Sequence, residues 1–418
     1  MSTPVPPPDP AVDPAVQLAP VHDFVRKLRQ GPFHERVVDY VAWQKAVREA
    51  DRGGDAAPAM PAWAPLSINL DLTTACNYAC DHCIDWDTLN SGISYDDARL
   101  RRSLETMAAH GLRSVILIGG GEPTVYPGFV DMVRFLKRLG LQVAIVSNGS
   151  RNDRIHEIAG DLDENDWVRL SLDAGTDATF QAMHKPKKAV TLEEICAWIP
   201  RIKARNPKPR VGFSYIICWE GSERGPDTPP VVENIDEIPI AAALARDHGF
   251  DYISLKPFLT RTAEGAEVMD PDAARADLAA TVDRIRSRVD EARALAGPAF
   301  AVVESTNLQV LERGTWRDLT RQPRTCHMQS LRQVLSPLGL WNCPAHRGVA
   351  KARIDDQGAF DGEAGCAKSA QETAGILGRF DASEECREVT CLYHDANWWI
   401  ERAIEDPRGL ADGPVPDA

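Results

Sequence analysis

The chain has 418 residues and a formal net charge of −14, with a pI near 5.2. That balance argues against an extended nucleic-acid footprint. No apolar run is long enough to span a bilayer, and the N-terminus lacks the basic and apolar regions of a secretory signal, so the expected address is cytoplasmic. The length suggests two lobes, and ten cysteines in a reducing compartment read as metal ligands before disulfides.

Residues 1–20, rich in Pro, Ala and Asp, read as a disordered segment. Residues 21–65 read as a helical extension and linker. Val25, Leu28, Val37, Val38, Val41 and Trp43 supply apolar faces, with a break near Gly31-Pro32 and a Gly/Pro-rich stretch after residue 50. From 66 to 304 strand and helix signals alternate. The pattern predicts strands at 67–72, 114–118, 143–147, 168–172, 211–217 and 252–256, with helices between. Ser94 with Asp97 predicts a capping box before Leu100, Leu104 and Met107. Gly140 stops a helix running from Phe129 to Leu139, and Thr191 to Arg205 reads as one helical run. Such units imply a parallel sheet with right-handed crossovers. Residues 305–400 carry a second cysteine set, and 401–418 read as a tail.

The loop after the first strand reads Cys76-Asn77-Tyr78-Ala79-Cys80-Asp81-His82-Cys83. Three closely spaced thiolates can hold three irons of a four-iron cluster and leave the fourth open to a small chelating molecule. A zinc site is the alternative, although zinc prefers four ligands in paired short spacings. The second strand runs into Gly119-Gly120-Gly121-Glu122-Pro123-Thr124, where backbone can approach a ligand and the glutamate can hold an ammonium group. The third ends in Ser147-Asn148-Gly149 and the fourth in Asp173-Ala174-Gly175.

The order and spacing of these four features resemble the radical S-adenosylmethionine (SAM) superfamily over roughly residues 66–260. The resemblance implies an α/β fold: a partial (β/α)6 radical SAM barrel. It also implies that Cys76, Cys80 and Cys83 bind a 4Fe-4S cluster whose open iron is chelated by SAM. Gly120, Gly121 and Glu122 are then expected at the methionine amino group, Ser147 and Asn148 at the ribose with Ser171 and Asp173 nearby, and His82 beside the adenine. Lys185 is the basic residue on offer for the methionine carboxylate, with a solvated basic loop as the alternative. A reducing partner such as a flavodoxin or ferredoxin is implied as well. On several strands one face is polar: Asn69 and Asp71; Arg169, Ser171 and Asp173; Ser254 and Lys256. A parallel strand covered on both sides is nearly all apolar, so this face is either solvent-exposed or, as the partial barrel of the resemblance implies, lines a wet, ligand-filled interior.

Cys326 and Cys343 flank an expected hairpin with its turn near Pro337 to Gly339, and Cys386 and Cys391 follow as a close pair. This arrangement resembles the Twitch auxiliary-cluster domain, smaller relative of SPASM, and implies a second 4Fe-4S cluster on those four cysteines. Cys366 is an alternative ligand, and zinc an alternative metal. Cys196 reads as a core residue. Cys218, if it shares a face with Gly212, Ser214 and Ile216, stands at the barrel mouth as a hydrogen-atom donor; a buried apolar cysteine is the alternative. Lys256, Glu304 and Tyr215 are further candidates for acid–base work.

The expected activity is reductive cleavage of SAM to a 5′-deoxyadenosyl radical that takes a hydrogen atom from a small polar substrate: a sugar, cyclitol or nucleoside intermediate. The outcome is oxidation or epimerisation, with no nucleic-acid or membrane partner. A peptide maturase acting on a ribosomal precursor is the second reading, and a non-catalytic iron–sulfur electron carrier the third.

Overall fold

Six strands form where the alternation predicts them. They are β1 (Ser67–Leu70), β2 (Ser114–Leu117), β3 (Gln142–Ser147), β4 (Trp167–Ser171), β5 (Arg210–Ile217) and β6 (Tyr252–Pro257). The computed structural model describes residues 23–225, 228–262, 264–269, 271 and 277–410. The expected disordered segment 1–20 and the last part of the expected tail, 411–418, lie outside the described residues.

The remaining strands are β7 (Thr260–Arg261), β8 (Glu267–Val268), β9 (Ala301–Glu304), β10 (Arg332–Ser336), β11 (Gly339–Trp341) and β12 (Arg353–Asp355). One ten-stranded sheet has the order β12-β11-β10-β1-β2-β3-β4-β5-β6-β9, and β7 and β8 pair separately. β1 to β6 run parallel with helices between them, and β9 and β10 add parallel strands beside β6 and β1. The sheet does not close among the described residues, which makes it a partial barrel. The hairpin expected between Cys326 and Cys343 is β10–β11, with Ser336 opposite Gly339. It joins the central sheet, so the C-terminal cysteines are carried to the edge of the same barrel.

The alternation sorts the two strand faces. Val168, Leu170 and Leu172 are buried in the apolar core, as are Ile68, Leu70, Ile253 and Leu255. The opposite face is polar and turns inward. Asn69, Arg169, Ser171, Ser214 and Lys256 line one common cavity.

Two helix expectations change in detail. The helix Asp97–Ala109 is capped by Asp96, whose side chain accepts from Arg99 N–H at 3.0 Å. Ser94 lies two residues too early to reach those donors. The run from Thr191 to Arg205 splits into Leu192–Cys196 and Ile199–Arg205. A capping box at Thr191 and Glu194 starts the first, and Pro200, which has no N–H to donate, opens the second. Among the described residues no helix is long and apolar enough to cross a membrane.

The N-terminal extension forms helices Phe24–Leu28 and Gly31–Gly53. A chain of buried hydrogen bonds ties the longer one to the C-terminal helix His394–Glu405. Gln44 Nε2 donates to Tyr40 Oη at 3.0 Å, and Tyr40 Oη stands 3.0 Å from His327 Nδ1. His327 Nε2 reaches Glu401 at 2.8 Å, and Arg48 makes two contacts to the same carboxylate at 2.9 and 2.7 Å. Because the carboxylate only accepts, the proton of neutral His327 sits on Nε2 and Nδ1 accepts from Tyr40. Burial pushes the His327 imidazole down, consistent with that neutral form. Burial alone would push the Glu401 carboxyl up, but His327 and Arg48 outweigh it and hold it at about 2, against 4.5 for a free glutamate.

A depressed carboxyl stabilises the fold above its unfolded pKa, and that contribution is lost as pH falls through the folded value. Glu401→Gln is therefore expected to cost about 2–3 kcal/mol near neutral pH and very little near pH 2. Urea denaturation of the two proteins at both pH values measures the difference. Equal costs at both would remove the charge-based account.

Candidate active site

β2 ends in the three glycines, and each is explained by what it touches. Gly119 and Gly120 have φ of +83° and +63°, which L side chains rarely adopt. A Cβ on Gly119 would lie 2.3 Å from Arg347 Nη1, and one on Gly121 would lie 2.2 Å from Ala75 O. Gly119 thus leaves room for a guanidinium, and Gly121 lets the turn touch the cysteine loop. Glu122 N–H donates to Ala75 O at 2.9 Å, and Gly120 N–H to Asp85 Oδ2 at 3.2 Å. Turn and cysteine loop are one bonded unit.

Cys76, Cys80 and Cys83 line a cavity of about 400 Å³ with Gly119, Gly120 and Gly121. Burial raises all three thiols. At Cys80 the two other sulfurs add to it, and Cys83 is pushed up to about 12 by burial and then by Asp85. Three thiolates facing one another need a cationic centre, and none is supplied by their own loop. Thiolates around one zinc stand ~3.8 Å apart, from Zn–S bonds of about 2.3 Å in a tetrahedron. Among the described residues the only three such donors within 4.8 Å of one another are those of Cys80, His82 and His184. The three sulfurs are therefore not all gathered within single-ion distance of one another, and three cysteine thiols on one loop fit a four-iron cluster with one iron left open.

His82 and Asp173 meet beside this loop. His82 Nε2 lies 3.1 Å from Asp173 Oδ2, and Asp173 Oδ1 accepts from Ile216 N–H at 2.7 Å. Burial would raise Asp173, but His82, His184 and the Ile216 N–H outweigh it and hold it below the ordinary range. Asp173 itself sits at φ +50°. His82, Ser171 and Asp173 all line the cavity, with Gly120, Gly121, Glu122, Ser147 and Asn148.

Glu122 departs in one respect from the expected division of labour. Its carboxylate accepts from Thr124 N–H at 3.0 Å, Ser147 Oγ at 2.8 Å and Asn148 N–H at 2.7 Å. Burial raises its pKa against those bonds. The glutamate at the end of β2 and the Ser147-Asn148 turn at the end of β3 are thus one hydrogen-bonded wall rather than two separate contacts.

A buried charge cluster lies beside the glycine turn, and its Asp85, Glu267 and Arg347 line the cavity. Arg347 Nη1 lies 2.7 Å from both oxygens of Asp85, and Nη2 lies 3.2 Å from Asp71 Oδ1. Arg261 adds a contact to Asp87 at 3.0 Å. Although burial opposes it, Arg347 holds Asp85 below the usual carboxylate range. Burial pushes Asp71 up to about 8 and Glu267 up to about 7. Arg347 is raised by all three acids, Asp71 included, while Asp71 is itself raised towards neutrality. The shorter double contact marks Asp85 as the ionised partner, because several carboxylates cannot all ionise cheaply in one dry site.

The four C-terminal cysteines come together. Cys326, Cys343, Cys386 and Cys391 line a second cavity of about 100 Å³. Burial raises each thiol, and Cys386 and Cys391 are raised further by Cys326. Here too no three sulfurs stand within 4.8 Å among the described residues. Leu259, Glu267, Asn307, Pro344 and Leu392 line both cavities, so the two cavities adjoin and share part of their lining.

Other expected positions fall elsewhere. Cys218 is fully buried, accepts no place on the cavity wall, and has its Sγ 3.9 Å from Ile216 O. β5 ends at Ile217, so the alternation that would aim Cys218 inward no longer holds there. Lys185 ends the helix Asp177–His184 in the left-handed region and pairs with Asp81, half exposed and off the cavity. Cys366, in the helix Gly362–Arg379, lies 3.4 Å from Ala62 O and does not line the second cavity. Cys196 is buried in the core. Tyr215 donates to Asn234 O at 2.6 Å, and Glu304 pairs with Arg293, both off the cavity. Lys256 lines it. Sequence reasoning missed His184, whose Nδ1 lies 3.3 Å from Cys80 Sγ, and Arg224, which donates to Cys80 O at 2.8 Å. It also missed Arg347. Each comes from a segment with no local motif, and only the fold brings it to the loop.

Comparison with known proteins adds to this geometry. The Radical SAM superfamily model matches residues 70–220. An S-adenosylmethionine-dependent nucleotide dehydratase of Thermoplasmatales archaeon (strain ISO4-H5) is 32% identical over 114 residues, 27% of this chain and 39% of that protein. Mycofactocin maturase MftC of Mycobacterium ulcerans is 34% identical over 119 residues, 27% of this chain and 30% of that one. The matches thus cover well under half of either relative. The crystal structure of Streptococcus suis SuiB bound to precursor peptide SuiA superposes with a TM-score of 0.53 at 14% identity, covering 80% of this chain and 69% of that one, a likeness of fold.

Proposed function

Because the chain belongs to the radical SAM superfamily, we propose that it oxidises a small polar substrate in the cavity beneath Cys76, Cys80 and Cys83, with the four-cysteine site as an auxiliary 4Fe-4S centre. Cys76, Cys80 and Cys83 would hold a four-iron cluster, which would supply the electron for SAM cleavage. The chain's own residues hold and enclose. Glu122, Ser147 and Asn148 form a wall of fixed acceptors and donors for the methionine and ribose parts. His82 and Asp173 set the opposite side. The Arg347 cluster keeps the glycine turn against the cysteine loop through Asp85, which bonds both Arg347 and Gly120 N–H.

The observation that carries the reading is the lining shared by the two cavities. A cluster held by Cys326, Cys343, Cys386 and Cys391 would stand across this shared lining from the first cavity and could supply the electron acceptor that a dehydrogenation needs. Epimerisation needs a hydrogen-atom donor at the cavity, and Cys218 does not line it. A reducing partner such as a flavodoxin or ferredoxin fits the electron demand.

A peptide maturase is the second reading, favoured by the likeness to mycofactocin maturase MftC and to the fold of SuiB. The two separate in one experiment. Reduced enzyme with SAM is incubated with the small-molecule and the peptide fractions of a cell extract, and 5′-deoxyadenosine is measured. The small-molecule fraction is expected to stimulate its formation, together with a product lacking one pair of hydrogens. Stimulation by the peptide fraction alone would replace this reading with the maturase.

A further inference from the structure

The cavity is lined by two cations, Arg169 and Lys256, that form no ion pair with a carboxylate among the described residues. Arg169 on β4 is 8% exposed, lines the cavity, and has its Nε buried with no hydrogen-bond partner. Lys256 on β6 lines the same cavity, and its ammonium makes one recorded bond, to Ser214 Oγ at 3.4 Å. Strand register sets their positions. Arg169 stands opposite Gly212 and Ser171 opposite Ser214 across β4 and β5, and Lys256 stands opposite Ile216 across β5 and β6. The Ser171–Ser214 layer therefore lies between the Arg169 layer below and the Lys256 layer above. The ammonium reaches down into it. A Cβ on Gly212 would lie 2.2 Å from the Tyr252 ring, so only glycine leaves Tyr252 its place beside Arg169.

The acid closest in this stack, Asp173, is already held by His82 and by Ile216 N–H. Burial and then Arg169 press the Lys256 ammonium far below its usual range, and burial lowers Arg169 as well. Two like charges side by side in one cavity oppose folding unless something offsets them. Asp173 offsets them in part, but its oxygens are already bonded to His82 and Ile216 N–H.

We propose that Arg169 and Lys256, with the hydroxyls of Ser171 and Ser214, form an oxyanion subsite that takes a phosphate or carboxylate group of the substrate. A planar guanidinium fork and an ammonium on opposite sides of two hydroxyls suit an anion with several oxygens. The subsite sits on the polar strand face beside the end of β3, where Ser147 is level with Leu170, between the Arg169 and Ser171 layers. This deepens the reading of the cavity as the reaction chamber and rests on it.

The test is equilibrium dialysis of reconstituted full-length protein against labelled inorganic pyrophosphate and, separately, labelled succinate. Wild type is expected to bind one of the two; which one binds distinguishes a phosphate from a carboxylate source. Arg169→Met and Lys256→Met are each expected to weaken binding about tenfold or more, while Arg169→Lys and Lys256→Arg keep a measurable part of it. Lys208→Met, an exposed cation, serves as the control and should change nothing. Melting temperatures separate binding from architecture: with an unpartnered cation removed, the methionine variants should melt no lower than wild type. Binding of neither probe, or undiminished binding in both methionine variants, would overturn the subsite. So would methionine variants that melt well below wild type while binding normally. Formation of 5′-deoxyadenosine by wild type is measured in the same samples. Its absence would count against the parent reading, whatever the anions do.

Discussion

Arg347→Met is expected to destabilise the protein by about 3–5 kcal/mol, the range for removing one partner of a buried ion pair. Arg347 is nearly buried and contacts Asp85 at 2.7 Å and Asp71 at 3.2 Å. Its loss leaves Asp85 facing an apolar side chain, with Gly120 N–H and the more distant Arg261 as its remaining partners. Because Asp85 also fixes the glycine turn, the same change should loosen the turn and lower SAM affinity. Arg347→Lys should recover only part of the loss, since one ammonium cannot reproduce a fork spanning two carboxylates. Adding Asp85→Asn to Arg347→Met should recover some stability, because the uncompensated charge is then gone. Urea denaturation of the four proteins checks this. A methionine variant within about 0.5 kcal/mol of wild type would mean that the cluster is solvated and not the clamp described.

Iron content should change just as clearly. With Cys76, Cys80 and Cys83 all replaced by alanine, the reconstituted protein is expected to keep about four irons per chain, held by Cys326, Cys343, Cys386 and Cys391. Replacing those four instead should leave about four irons at the first site. Cys366→Ala should change neither count, because its sulfur faces Ala62 O rather than the second cavity. Metal analysis with electron paramagnetic resonance of the reduced proteins reads both sites. Zinc in place of iron in the first variant, or no metal, would remove the auxiliary cluster and with it the electron acceptor on which the oxidation reading depends.

Much of the chemistry was legible because it is local. The strands near 67, 114, 143, 168, 211 and 252 follow from alternating apolar residues, and the cysteine loop and glycine turn sit at their ends, as motif spacing implies. The inward polar face was readable too, since Arg169, Ser171 and Asp173 alternate with Val168, Leu170 and Leu172. What escaped was non-local. Nothing near Arg347 announces that it fills the space left by Gly119, more than two hundred residues away. The attachment of β10 beside β1 depends on long-range strand pairing, which periodicity cannot encode. Glu122 looked like a free ligand, yet four hydrogen bonds from Thr124, Ser147 and Asn148 tie it into the wall. Cys218 was misplaced by extending the strand alternation one residue beyond the end of β5 at Ile217.

The most direct measurement of the central claim is anaerobic incubation of reconstituted protein with dithionite and SAM, followed by quantification of 5′-deoxyadenosine and methionine. Wild type is predicted to form both in equal amounts, and the variant lacking Cys76, Cys80 and Cys83 to form neither. Unchanged cleavage in that variant, or no cleavage by a wild-type protein carrying its full iron, would contradict the account.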